Sequence, residues 1–291
     1  MPSRIGLLLD IRKAVKRNKT EVVITFMSGV TIWVFLSLIF MNVKIIACER
    51  SDPFRSTPSR RRLAITKFIY KLVNVVIVQT DRVKDRLHSE WKLQNMTVIG
   101  NMIPFRSSAY LGINKCVTSI VTVSRLVPTK NNHLLIYSLR NILNAKCKLT
   151  IYGHGPEKKS LEALIDKLNL KSYVKIISGE TCINTMLVDA DIFISLSELE
   201  GFSNALLEAV SCGVPSIAFD CDFGAREILN NGHCGILLES LELSLIEKNI
   251  KGLMDDYDQR LIFSQRGIKH AEKNFSIKSV MSSWSSVIDR V

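Results

Sequence analysis

The chain has 291 residues, 47% of them apolar and 23% charged, with a formal net charge of +12. That length buries one large core or two of ordinary domain size, and the composition excludes a disordered or fibrous chain. The charge is lopsided: residues 1–115 hold 20 Lys/Arg against 7 Asp/Glu, whereas residues 116–291 hold 19 against 20. A basic first part attracts phosphates, acidic lipids or nucleic acid. Aromatic residues are not interleaved with the basic cluster, which argues against nucleic acid as the partner. The seven cysteines are scattered and form no C-x-x-C pair, so neither a zinc site nor a disulfide framework is expected.

Taken in chain order, the first feature is Val22–Val43, which carries no charge. It is long enough to span a bilayer. It also divides into a β-rich run at Val22–Phe26, a break at Ser28-Gly29, a buried helix over Thr31–Met41 and a strand at Val43–Ala47. The polar and glycine residues at these junctions favour the segmented reading. No cleavable signal peptide is recognisable, since the apolar run starts late and lacks a small-residue cleavage site. Val75–Val78 and Met96–Ile99 read as strands flanking a helix around Arg82–Trp91, and Asn101–Asn114 as a linker.

Further on the alternation is regular. Strands are expected at Val117–Val123, Cys147–Tyr152, Val174–Ile177, Asp191–Leu196 and Val214–Phe219. Helices are expected at Asn132–Leu143, Glu157–Leu168, Asn184–Val188 and Asn204–Ser211. Such βα alternation means parallel sheets covered on both faces, with ligands beyond the C-terminal strand ends. The fold class is α/β, in two Rossmann-like domains divided at about residues 108 and 109.

Four loops follow strand ends in the second domain. Ser124-Arg-Leu-Val-Pro-Thr-Lys130 offers Arg125 and Lys130, which suit two phosphates. Gly153-His154-Gly155-Pro156 precedes a helix, where glycine backbone admits close approach of an anion. Glu200-Gly-Phe-Ser-Asn-Ala-Leu-Leu-Glu208 is the most specific. Gly201 permits tight approach, Ser203-Asn204 opens a helix, and Glu208 lies on an otherwise apolar helix where a charge wants a partner. Gly224-Ala-Arg-Glu-Ile is a fourth turn-to-helix start. Asp189-Ala190-Asp191 is a D-x-D, but it leads straight into a strand and reads as structural.

In order and spacing, S-R-L-x-x-x-K, G-x-G-P and E-G-F-S-N-A-L-L-E with trailing Cys212-Gly-Val-Pro215 resemble the C-terminal half of the retaining glycosyltransferases of family 4, which have the GT-B fold. The resemblance implies that Arg125 and Lys130 neutralise the diphosphate of a nucleotide sugar, and that Glu208 binds its ribose. Glu200, with the backbone of Gly201, Phe202, Ser203 and Asn204, would hold the donor sugar, with Gly153 and Gly155 lining the donor site. It implies a closing helix near Phe275–Ile288 that crosses back onto the first domain. Cys48-Glu-Arg-Ser-Asp-Pro53 resembles a stretch of members that build cell-surface polysaccharides. Arg50 and Arg60, Arg61 and Arg62 become acceptor-side candidates, facing a lipid-linked pyrophosphate or the anionic membrane surface.

The reaction implied is transfer of a hexose or N-acetylhexosamine from a UDP-sugar to a lipid-linked glycan, with retention and without metal or cofactor. The enzyme would work on the cytoplasmic face of the membrane, in O-antigen or lipopolysaccharide-type synthesis. Against the family pattern, Ser124 stands where Gly is usual. The first domain also lacks about 70–100 residues of an ordinary one. A truncated or partner-dependent subunit that binds the donor without transferring it is the alternative. A nicotinamide enzyme is disfavoured because no G-x-G-x-x-G follows an early strand.

Overall fold

The computed structural model describes residues 4–51, 53–56, 59–103, 116, 119–179, 182–187, 189–221 and 224–291. Most of the Asn101–Asn114 linker segment lies outside them. The chain forms two units, one of Met1–Asn101 with Lys278–Val291 and the other of Met102–Ile277.

The first unit opens with α1 (Arg4–Arg17), β1 (Val22–Phe26), α2 (Ser28–Leu38) and β2 (Lys44–Cys48). The uncharged stretch is therefore strand and helix, and no helix among the described residues is long and apolar enough to cross a membrane. Next come α3 (Pro53–Ser56), α4 (Arg60–Leu72), β3 (Val75–Val78), α5 (Asp81–Trp91) and β4 (Met96–Val98). The sheet runs β1-β2-β3-β4, all parallel, with Ile24 opposite Ile46 and Ala47 opposite Val76. β-Branched runs suit such buried strands. Helix α4 is absent from the sequence reading. Its Thr66, Ile69 and Tyr70 are buried, while Ile65, Phe68 and Leu72 are exposed, so the apolar residues mark no single inward stripe.

The second unit contains β5 (Ser119–Val123), α6 (Asn132–Leu139), β6 (Lys148–Tyr152), α7 (Lys158–Lys167), β7 (Val174–Ile177), α8 (Ile183–Leu187) and β8 (Ile192–Ser195). It continues with α9 (Asn204–Ser211), β9 (Ser216–Phe219), α10 (Ala225–Ile228), β10 (Ile236–Leu238), α11 (Leu243–Asp255) and α12 (Tyr257–Phe275). The sequence reading assigned no element to the stretch of β10, α11 and α12.

This sheet is ordered β10-β9-β8-β5-β6-β7, again all parallel. Alternate residues serve two cores. Ile120, Ile192, Ile194 and Ile217 join α6, α7 and α11 on one face. Val121, Phe193 and Ala218 join α9, α10 and α12 on the other. Buried Arg260 of α12 donates to the carbonyls of Leu253 and, at 2.5 Å, Met254, meeting the negative end of α11.

The chain ends in α13 (Ile277–Arg290), whose Val280 and Val287 are buried with Ile46, Cys48, Ile77 and Ile99 of the first unit. Trp284 packs against the same cluster.

Candidate donor site of the second unit

The sheet order reverses direction between β5 and β8, which are hydrogen-bonded neighbours connected to opposite halves of the sheet. Their outgoing loops diverge there and leave a crevice at the strand ends. The residues singled out in the β5 and β8 loops all belong to this place.

After β5 the chain makes a 3₁₀ turn at Pro128–Lys130 and enters α6 through Asn131, which adopts a left-handed conformation with φ 54. Asn tolerates that region better than most residues. The Asn131 side chain donates to the Leu196 carbonyl at 3.1 Å, and the Glu198 N–H donates to the Thr129 carbonyl at 2.9 Å. These bonds tie the two loops together across the reversal. Lys130, only 8% exposed, forms an ion pair with Glu200. A charged pair taken partly out of water is favourable only with good geometry and is costly to break singly. Arg125, in contrast, is exposed and has no side-chain partner among the described residues.

Glu200 and Gly201 lead into α9, whose N-cap is Ser203; its hydroxyl accepts from the Leu206 N–H at 3.4 Å. The Phe202 ring lies in the core, edge-on to Phe275 with centroids 5.6 Å apart. Only its backbone is thereby left for a ligand. Asn204 is exposed at the helix start. Glu208 stands one turn into α9, half-buried, and has no side-chain partner among the described residues. Burial alone raises its carboxyl pKa above the usual glutamate value.

The loop after β6 packs on the loop after β5. The Leu126 N–H donates to the His154 carbonyl at 2.8 Å, and the Glu157 N–H to the Leu126 carbonyl at 3.0 Å. A Cβ on Gly153 would lie 1.9 Å from the Ser124 carbonyl oxygen, and one on Gly155 2.3 Å from that of Leu126. Both glycines are thus required by loop–loop contact, before any ligand is considered. The turn before α10 abuts Gly201 and Phe202, and Arg226 pairs with Asp220 beside it. Asp191 of the D-x-D accepts from the Ser119 N–H at 2.9 Å, an anchor at the start of β5.

Asn131 was not among the sequence candidates. The run of two asparagines after Lys130 was its only signal, as asparagine is enriched where φ is positive.

In the first unit, Arg50 follows β2. It donates to Asn101, and its guanidinium stacks 5.0 Å from the Phe26 ring centroid. Beside it Glu49 is buried and accepts from the hydroxyls of Tyr70 at 2.9 Å and Ser51 at 3.1 Å and from two backbone N–H groups. Desolvation by burial nonetheless raises the Glu49 pKa. Arg60, Arg61 and Arg62 form the first turn of α4. The Arg62 guanidinium lies over Gly29 of α2, where a Cβ would be 2.4 Å from it.

Residues 107–270 match the family described as Glycosyl transferases group 1. The amylovoran biosynthesis glycosyltransferase AmsD of Erwinia amylovora is 26% identical over 96% of this chain and 80% of its own length. The N-acetylgalactosamine-N,N'-diacetylbacillosaminyl-diphospho-undecaprenol 4-alpha-N-acetylgalactosaminyltransferase of Campylobacter jejuni is 30% identical over 55% of this chain and 43% of its own. The structure of Anabaena Alr3699/HepE in complex with UDP superposes with a TM-score of 0.86 at 18% identity, covering 99% of this chain and 84% of that one. The last likeness speaks to fold alone, and it is to two parallel α/β sheets of GT-B type. The match spans more than half of the residues and contains both sides of the β5/β8 reversal, so the chain belongs to the group 1 glycosyl transferases and is a glycosyltransferase.

Proposed function

We propose that this glycosyltransferase moves a hexose or N-acetylhexosamine from a UDP-sugar to a hydroxyl of a lipid-linked oligosaccharide, with retention, at the inner face of the membrane. The observation that carries the reading is the Lys130–Glu200 pair across the sheet reversal, followed one turn into α9 by Glu208, which has no side-chain partner among the described residues. In this arrangement the diphosphate takes Arg125 and Lys130, the backbone from Gly201 to Asn204 and the carboxylate of Glu200 face the sugar, and Glu208 accepts from ribose hydroxyls. Charge develops on the leaving diphosphate as the glycosidic bond breaks. Cationic groups and helix N-termini already in place stabilise it. No carboxylate is assigned as nucleophile; the departing phosphate takes the acceptor proton. Arg50 is assigned to the acceptor side, and the arginines of α4 to the acceptor's pyrophosphate or to the anionic membrane surface that presents it. The Campylobacter relative, whose name specifies a diphospho-undecaprenol acceptor, supports that choice.

The first experiment is calorimetric titration of the whole chain with UDP and GDP, repeated on Glu208→Ala. Saturable UDP binding, weakened by the substitution, is expected; a folded chain that binds neither nucleotide would overturn the donor site. Arg125→Ala is expected to lower turnover by about two orders of magnitude or more, the usual cost of one such donor. An effect of tenfold or less would remove Arg125 from that role. We assign no metal to the reaction, so the same assay should survive chelator.

One observation favours the alternative in which a further polypeptide is needed for transfer. The edge strand β1 is wholly uncharged and exposes Ile24 and Phe26, a combination that sheet edges ordinarily avoid. Donor binding without transfer, relieved by a second polypeptide, would select that reading.

A further inference from the structure

Helix α4 has a composition its own fold does not explain. Its thirteen residues, RRRLAITKFIYKL, contain five basic side chains and no acidic one. Three arginines occupy the first turn, where the helix dipole disfavours cations. Thr66, Ile69 and Tyr70 already supply its buried side. Ile65, Phe68 and Leu72, spaced three and four apart and therefore on one face, are 48%, 63% and 53% exposed. Arg61 lies within this stripe, and Arg60 and Lys71 flank it, all three exposed. Helix α4 packs beside α2. There Arg62 covers Gly29, between exposed Met27 and Val30.

A stripe of large apolar side chains bordered by cations is the pattern of a helix lying in a bilayer interface. Apolar side chains enter the acyl boundary while Lys and Arg meet lipid phosphates. A protein partner would be expected to require acidic or neutral complement at particular points. A lipid surface requires only net positive charge around the stripe, and α4 itself provides it, with exposed Arg60, Arg61 and Lys71 and no acidic side chain.

We propose that the outward face of α4 docks the protein on an anionic lipid bilayer, with Ile65, Phe68 and Leu72 inserted and Arg60, Arg61 and Lys71 on the headgroups. This rests on the reading of a lipid-linked acceptor and specifies the surface that would bring the enzyme to it. The test is co-sedimentation of the full chain with vesicles of mixed phosphatidylcholine and phosphatidylglycerol, against phosphatidylcholine alone. Binding to the mixed vesicles only, weakened by salt, is expected. The double variant Phe68→Ser with Leu72→Ser should partition about tenfold less or weaker still, since both side chains lose their apolar burial. Met281→Ser, an exposed apolar position on α13, should leave partitioning unchanged.

Because these side chains are exposed, the variants are expected to melt like the wild type, and UDP titration is run on each. Failure of the wild type to bind mixed vesicles, or equal binding by the double variant, overturns the docking face. If UDP binding persists, the donor reading stands. Loss of a concentration-dependent dimer in the double variant, without loss of vesicle binding, assigns the stripe to a second copy instead and also overturns it.

Discussion

Two carboxylates eight residues apart hold opposite situations. Glu200 is paired with Lys130, whereas Glu208 is half-buried and unpartnered among the described residues. For Glu208, burial disfavours the charged form, so its pKa in the folded chain lies above that of the unfolded chain. The folded state then holds the proton more tightly, and stability falls as pH rises through the interval between the two values. At neutral pH the ionised group is a net cost to folding. Glu208→Gln should therefore raise the melting temperature at pH 7, with the gain shrinking as pH falls through that interval and gone below the ordinary glutamate range. The same variant should bind UDP more weakly. A variant less stable than wild type at pH 7 would show that the carboxylate has a favourable partner in the folded protein.

Glu200 leads to a different expectation. A diphosphate arriving at Lys130 competes with a carboxylate already neutralising it. Glu200→Gln removes the competitor, so UDP itself should bind several-fold more tightly while sugar transfer falls. Loss of both together would mean that Lys130 depends on Glu200 for its position, as expected when one member of a buried pair is removed. This pairing was not legible beforehand: the two residues are 70 apart in sequence, and each was assigned separately to diphosphate and sugar. Motif spacing identified both residues but carried no information on their mutual contact.

At the scale of elements, the strands were the readable part. Runs such as Val75–Val78 and Val174–Ile177 are short, β-rich and bounded by turn residues, and the structure places strands at those positions. Helix α9 was legible for a related reason, its Ser203 cap preceding an apolar run. α4 was not, because its exposed Ile65, Phe68 and Leu72 mix with the inward residues and an arginine cluster replaces the acidic first turn that announces a helix. The glycine turn after β6 was legible as a turn, but not in its reason. Gly155 is required by the Leu126 carbonyl of the neighbouring loop, so its effect is first on loop pairing. Gly155→Ala must separate the loops after β5 and β6, breaking the bond from Leu126 N–H to His154. It should cost about 2 kcal/mol or more of stability, within the range for backbone strain with a lost buried contact. UDP affinity should drop with it, because Arg125 sits in the displaced loop. An alanine variant with wild-type melting and affinity would show that the loop relaxes freely.

For the whole molecule, the two units have separate cores, but the chain enters the first one twice. Val280 and Val287 of α13 are buried with Ile46 and Ile77 of the first sheet, and Trp284 lies against them. Burying two valines and part of a tryptophan contributes on the order of 3 kcal/mol or more by area, a large fraction of the stability of a domain this size. A chain ending at Ser276 should therefore lose the first unit selectively. In limited proteolysis its residues 1–101 should be cleaved within the time that the full chain resists. The second unit, whose cores contain no residue of α13, should survive as a protected fragment and still respond to UDP. A ligand at 100 times its dissociation constant adds about 2.7 kcal/mol to whichever unit binds it. Protection of the second unit by UDP, with none for the first, would place the nucleotide energetically as well as chemically. Equal resistance of residues 1–101 with and without α13 would mean that the four-stranded sheet and its own helices hold that core without the closing helix.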